Sequence, residues 1–224
     1  MSIKNEIERI KATLTPKAKL IAVSKTKPIE MLQEAYDAGQ RLFGENKALE
    51  MRDKHLALPD DIKWHFIGHL QTNKIKYIID YVTLIHSIDS LNLLKEVNKE
   101  AAKKNRVVDC LLQFHIASED TKFGLSMDEA EDLLQSEEYK AMANVRIVGV
   151  MGMATFTSDV QQVRSEFASL KGIFTSLKEK YFSEMPAFAE ISMGMSDDYP
   201  IALEEGSTLV RVGSAIFGAR NYNI

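Results

Sequence analysis

The first strand-like run of this chain ends in a lysine. In "AVSKTKP" (22–28), residues suited to a buried strand lead into Lys25, then Lys27 and Pro28. An amine held at depth, where water is scarce, loses part of its affinity for a proton, and a neutral amine attacks carbonyl carbon. Schiff-base chemistry is therefore open to Lys25. The same position is also consistent with a charge that snorkels to the rim or pairs with Glu45. Lys27 shares its strand parity, but Pro28 puts it in the turn that follows. Of the two lysines, Lys25 is the one a strand end can hold.

Two later segments suit an anion. "ISMGMSDDYPIA" sets Gly194 and Ser196 just ahead of a helix, and "VRVGSAIFG" sets Gly213 and Ser214 at the end of the last strand-like run. Small residues let backbone N–H groups approach a phosphate, and a serine hydroxyl adds a donor. Tight turns with helix caps use the same residues, and position alone leaves both readings open.

Other chemistry is poorly served. His65 and His69 in "HFIGH" have the spacing of two helical metal ligands, but "HFIG" reads as strand and Gly68 breaks it, so metal binding is not expected. No Asp/His pair is arranged about a serine as a triad. Cys110, the one cysteine, sits in the apolar run "VVDCLL" and reads as a buried inert thiol.

These residues need elements to carry them. Strand-like runs fall at 20–24, 41–46, 63–68, 82–88, 107–116, 145–153, 188–195 and 208–218, mostly without polar alternation, as in parallel strands covered on both faces. Helical patterns fill the intervals. Pro28 suits a first helical turn and Gly39 a stop, with Ile29, Leu32 and Tyr36 on one face. Ser126 and Glu129 have capping-box spacing, and residues 159–181 carry one long apolar stripe. About eight strand–helix units follow an opening helix, so the expected fold is α/β: a single (β/α)₈ TIM barrel with an additional N-terminal helix, one domain over 1–224. The alternative is a doubly wound open sheet, which the lack of a G-x-G-x-x-G turn after the first strand disfavours. In a barrel, strand C-terminal ends converge on one face, and that is where Lys25, Asn46, His65, Arg211 and the two Gly-Ser segments belong.

The 224 residues carry a net charge of -4, and their basic residues are dispersed, which argues against a nucleic-acid or anionic-membrane binder. The N-terminus lacks the apolar core of a signal peptide, and no apolar run approaches the ~20 residues of a membrane span. The expected location is the cytoplasm.

Taken together, "AVSKTKP" (22–28), "FGEN" (43–46), "WHFIGHLQTNK" (64–74), "SMGMS" (192–196) and "VRVGSAIFG" (210–218) closely resemble the pyridoxal phosphate homeostasis proteins, the YggS/PROSC family. The resemblance spans nearly the whole chain. It implies a barrel like the N-terminal domain of alanine racemase with pyridoxal 5'-phosphate (PLP) at its mouth. It further implies a Schiff base on Lys25, phosphate contacts from Ser196, Gly213 and Ser214, Arg211 at the pyridine nitrogen, Asn46 near the ring, and His65 and Met195 at its wall. Two departures stand out. Lys47 follows Asn46 where the family commonly has another residue. Phe114 and His115 replace the usual residues of the fifth strand end, although Gln113, Lys122 and Gly124 still align.

The resemblance implies intracellular PLP homeostasis without evident turnover, as a monomer, with PLP-dependent apo-enzymes as possible recipients. An arginine at the pyridine nitrogen weakens the ring as an electron sink. The second domain from which alanine racemase draws its opposite-face tyrosine is not expected after Ile224. A fold-type III racemase is the alternative, and a Schiff-base aldolase of sugar phosphates is a more distant one.

Overall fold

The computed structural model describes residues 2–118 and 123–219. Helix α1 (Ile3–Thr13) opens the chain, capped by Ser2, and buries Ile3, Ile7 and Ile10. Eight parallel strands then close into a barrel in sequence order: β1 (Lys19–Val23), β2 (Leu42–Glu45), β3 (Lys63–Phe66), β4 (Val82–Ile88), β5 (Val108–Phe114), β6 (Val145–Gly152), β7 (Glu190–Ser192) and β8 (Leu209–Val212). Closure is made by β1 against β8, with Ala22 opposite Val212.

Helices cover the barrel: α2 (Ile29–Asp37), α3 (Ala48–Ala57), α4 (Leu91–Ala102), α5 (Met127–Gln135), α6 (Glu137–Lys140), α7 (Val160–Tyr181), α8 (Tyr199–Glu204) and α9 (Ser214–Phe217). The Ser126–Glu129 capping box opens α5, and Asp159 caps α7, whose stripe buries Val163, Phe167, Leu170 and Leu177.

The structure differs from the sequence pattern in three places. A 3₁₀ turn (Thr72–Tyr77), not an α-helix, links β3 to β4. Pro28 caps α2 from outside instead of entering its first turn. The apolar run 208–218 is not one strand: it breaks at Gly213, and α9 starts at Ser214. Apolar content cannot separate a buried strand from a buried helical turn, so the pattern missed the helix that follows Gly213.

The core has two parts. The larger lies between sheet and helices and holds Phe43, Trp64, Phe66, Phe167 and Phe188. The smaller fills the barrel itself with Ile21, Leu84, Leu111, Val148, Met151 and Leu209. Strand alternation places Lys19, Asp109, Arg146 and Glu190 on the same inner face, one layer toward the N-terminal ends. There they pair as Arg146 with Asp109 at 2.7 Å and Lys19 with Glu190 at 2.8 Å. Gly149 lets β6 meet β7, since a Cβ there would lie 1.8 Å from the Glu190 carbonyl oxygen. The opposite end of the barrel interior is polar.

Candidate functional site

A cavity of about 260 Å³ opens at the C-terminal ends of the strands. Seven of the eight residues expected there line it: Lys25, Asn46, Met195, Ser196, Arg211, Gly213 and Ser214. The eighth, His65, lies in the barrel interior, where its Nδ1 is 2.9 Å from His86 Nε2. Val23, Ile67, Met153 and Phe156 supply apolar wall.

Lys25 follows the end of β1 with the inward parity of Ile21 and Val23. Lys27 also reaches the cavity, but its Nζ donates to the carbonyls of Gly218 at 2.9 Å and Ala219 at 2.8 Å. That amine is held at the rim by the segment after α9.

At the side formed by β7 and β8, Gly213 N–H donates to Ser196 Oγ at 3.3 Å, so the two expected phosphate loops touch. A Cβ at Gly213 would sit 3.0 Å from the Val23 carbonyl oxygen, a tight contact that glycine avoids where this backbone approaches β1. Ser214 then opens α9, whose first helical bond is Ile216 N–H to the Gly213 carbonyl at 3.0 Å. Serine hydroxyls and backbone N–H groups at such a turn suit an anion.

Arg211 forms part of the floor. Its Nη1 donates to Ser192 Oγ at 2.5 Å and its Nη2 to the Gly152 carbonyl at 3.1 Å. Burial brings its pKa down to about 10, with Asp198 pulling the other way, so it remains a cation at neutral pH. Asp198 is itself raised by burial, against the Met195 N–H that it accepts at 2.5 Å and the attraction of Arg211.

Ser192 connects the arginine to two histidines: its Oγ is 2.9 Å from His86 Nδ1, and His86 Nε2 meets His65. Burial takes His65 down to about 3 and His86 well below its usual value, so both rings are neutral. Arginine has only donors. In the arrangement that leaves no hydroxyl proton unpaired, Ser192 accepts from Arg211 and donates to His86 Nδ1. His86 then carries its proton on Nε2 and donates to His65. His86 was not singled out from the sequence, although its parity with Leu84 in "LIHSI" places it inside the barrel.

Asn46 Oδ1 is buried without a hydrogen-bond partner among the described residues. The neighbouring Glu45 faces the outer side, toward α3. Its Oε1 accepts from Lys54 Nζ at 2.7 Å and from Ser24 Oγ at 2.6 Å. Burial raises the Glu45 carboxyl to about 7, against the Lys54 ammonium. Glu45 thus pairs with Lys54, a residue that the sequence reading did not consider; its spacing four after Glu50 was the available signal.

The two family departures lie off the cavity. Phe114 is buried in the outer core and His115 is exposed, whereas Lys47 borders an adjacent hollow with His69 and Lys74. Gln113 donates to the Phe123 carbonyl at 3.2 Å. Lys122 lies outside the described residues.

The family described as "Alanine racemase, N-terminal domain" matches residues 1–221. The pyridoxal phosphate homeostasis protein of Aquifex aeolicus is 42% identical over 207 residues, covering 92% of this chain and 88% of that one. That of Escherichia coli K12 is 35% identical over 208 residues, covering 91% and 86%. PipY of Synechococcus elongatus superposes with a TM-score of 0.88 at 32% identity, over 97% of this chain and all of PipY. A second PipY structure, with PLP bound, superposes at 0.85. An alanine racemase of Clostridium difficile, 14% identical with a TM-score of 0.73 over 99% of this chain and 57% of its own length, shares the barrel fold. By family match, identity and coverage, the chain belongs to the alanine racemase N-terminal-domain family and, within it, to the pyridoxal phosphate homeostasis proteins.

Proposed function

We propose that this chain binds PLP at the barrel mouth, holds it covalently on Lys25, and serves intracellular PLP homeostasis as a reservoir for PLP-dependent apo-enzymes. One observation carries the reading: a single cavity joins Lys25 to the Ser196–Gly213–Ser214 turn and to Arg211. PLP supplies an aldehyde, a phosphate and a pyridine nitrogen, and this lining offers a group suited to each. The Lys25 amine provides the nitrogen that condenses with the aldehyde, one water leaving. Gly213 and the two serines provide N–H and hydroxyl donors for the phosphate. Asn46 Oδ1, without a partner in its buried position, accepts from a donor in the cavity.

Arg211 supports a carrier over a catalyst. Its guanidinium is fixed by Ser192 and Gly152 and stays protonated at neutral pH. A ring nitrogen facing this cation stays unprotonated, and the ring draws electrons less strongly. Among the described residues no helix is long and apolar enough to cross a membrane. The cytoplasm is the location that we propose. A monomer is the assembly we propose, to be checked by light scattering.

The test is the absorbance spectrum of protein mixed with PLP. A band near about 420 nm is expected, bleached by borohydride, with the label on the Lys25 peptide. Lys25→Ala should lose the band with its melting temperature little changed, and Lys27→Ala should keep it. A trapped adduct that persists in Lys25→Ala would reassign the amine.

A further inference from the structure

Behind the cavity, on the outer side of β1 and β2, lies a cluster that the cofactor reading does not use. Lys54, on α3, is 5% exposed and spends its amine on three acceptors, the Ser24 carbonyl, Glu45 Oε1 and Glu50 Oε1, each at 2.7 Å. Glu50 Oε1 also accepts the backbone N–H of Thr26 at 2.5 Å. The Ser24 carbonyl belongs to the peptide group before Lys25, and the Thr26 N–H to the one after it. Both peptide groups flanking Lys25 are therefore held by the same ion cluster.

Thr26 gives the cluster something to hold. Its φ is 62°, in the left-handed region. A β-branched residue does not rest there unaided, and such a conformation persists only where the surroundings over-determine it. The hydrogen bond from Thr26 N–H to Glu50 acts at the strained residue itself, and Lys54 fixes Glu50 through a pair buried on the lysine side. A lysine side chain has four rotatable carbons, so where its amine can dwell depends on how firmly its Cα is oriented.

We propose that Glu50 and Lys54 are positioning residues for Lys25: by gripping the peptide groups on either side of it, they hold Thr26 left-handed and aim the Lys25 amine into the cavity. This rests on the reading of Lys25 as the PLP-bearing residue, and it predicts which residues outside the cavity govern that lysine. Relaxation of the turn at Thr26 would swing Lys25 away without unfolding the barrel. Glycine at 26 adopts a positive φ without the β-branched penalty, so it should maintain the turn without the clamp.

The experiment compares wild type, Glu50→Ala, Glu50→Gln, Thr26→Gly and the double variant Glu50→Ala/Thr26→Gly. Two quantities are read beside the melting temperature: the labelling rate of Lys25 by an amine-directed reagent in PLP-free protein, scored by peptide mass, and the affinity for PLP. Glu50 is partly exposed and Glu45 still pairs with Lys54 in its absence, so Glu50→Ala should fold. It should change Lys25 labelling severalfold and weaken PLP binding about tenfold, the scale of one charge-assisted hydrogen bond. Glu50→Gln, which keeps an acceptor oxygen, should lose less, and the double variant should return to within about threefold of wild type. Wild-type labelling and affinity in Glu50→Ala with only a lowered melting temperature would show a purely structural cluster and overturn the proposal. Failure of glycine to rescue would overturn it as well. If the variants shift Lys25 labelling as expected while wild type takes up no PLP, the clamp stands and the cofactor reading falls.

Discussion

Arg211 and Ser192 meet at 2.5 Å inside the barrel, and the serine hydroxyl between Arg211 and His86 joins a cation to two neutral imidazoles. All four side chains, with His65, are buried. Ser192→Ala would leave an Arg211 N–H and His86 Nδ1 without their partner in the barrel interior. Stability should fall by about 1–3 kcal/mol, the cost of buried polar groups left unpaired, as measured by denaturant unfolding. PLP affinity should fall too, because the guanidinium loses one of its two anchors. A Ser192→Ala protein as stable as wild type would mean that water takes the place of the hydroxyl.

The turn of Ser196, Gly213 and Ser214, proposed above to take the phosphate, makes a separate prediction. Ser214→Ala and Ser196→Ala each remove a hydroxyl from the lining and should weaken PLP by roughly ten- to a hundredfold, the equivalent of ~1.5–3 kcal/mol for a bond to a charged group. Gly213→Asp should be worse, because its Cβ meets the Val23 carbonyl and its carboxylate opposes the phosphate. Titration by absorbance checks the order. Unchanged affinity in all three variants would move the phosphate elsewhere.

The Glu45 carboxyl predicts a pH dependence of stability. It holds its proton to about 7 in the folded chain but loses it near 4.5 when unfolded. Between those values the folded state binds more protons, so stability from this group is full below about 4.5 and declines as pH rises toward 7. The loss should be on the order of 1–3 kcal/mol. Glu45→Gln keeps acceptors for Lys54 and Ser24 and should flatten this slope. Melting temperatures of the two proteins across pH 4.5–8 would decide, and parallel curves would count against the assignment.

Turnover can be tested directly. Incubated with PLP-loaded protein, L-alanine should show no racemisation at ~1 s⁻¹ or faster, because a ring nitrogen kept unprotonated by Arg211, as proposed above, would stabilise a carbanion poorly. A chiral assay giving such rates, abolished in Lys25→Ala, would establish a racemase in place of a carrier.

The sequence made the alternation of strands and helices legible because strands buried on both faces are continuously apolar, and "LIAVS" and "VTLIHSI" stand out on that ground alone. It made most of the cavity legible because polar or small residues that end such runs, as Lys25 and Gly213 do, have few reasons to be there. Three features stayed hidden, each for a physical reason. The helical turn that follows Gly213 left no mark, since "AIF" is equally apolar as strand or helix. The meeting of His65 with His86 depends on strand register, which a bulge shifts between Trp64 and His65 in the pairing of β3 with β4. The Lys54 cluster joins residues of β1, β2 and α3 through contacts that only the closed fold creates.

The pairing of β1 with β8 also bears on how the molecule assembles. Lys25 follows the first strand, while Arg211, Gly213 and Ser214 end or follow the last, so the cavity straddles the seam where the ring shuts. Contacts so distant along the chain close late, since the entropy of bringing them together is met only after the intervening units have docked. A partly assembled ring would carry Lys25 without the turn of Ser196, Gly213 and Ser214 that faces it across the cavity. A ligand that spans the seam binds only the closed ring and by mass action opposes its opening. Uptake of that ligand during refolding would therefore report the last step of assembly, and in the folded protein the ligand would act as a clasp across the joint.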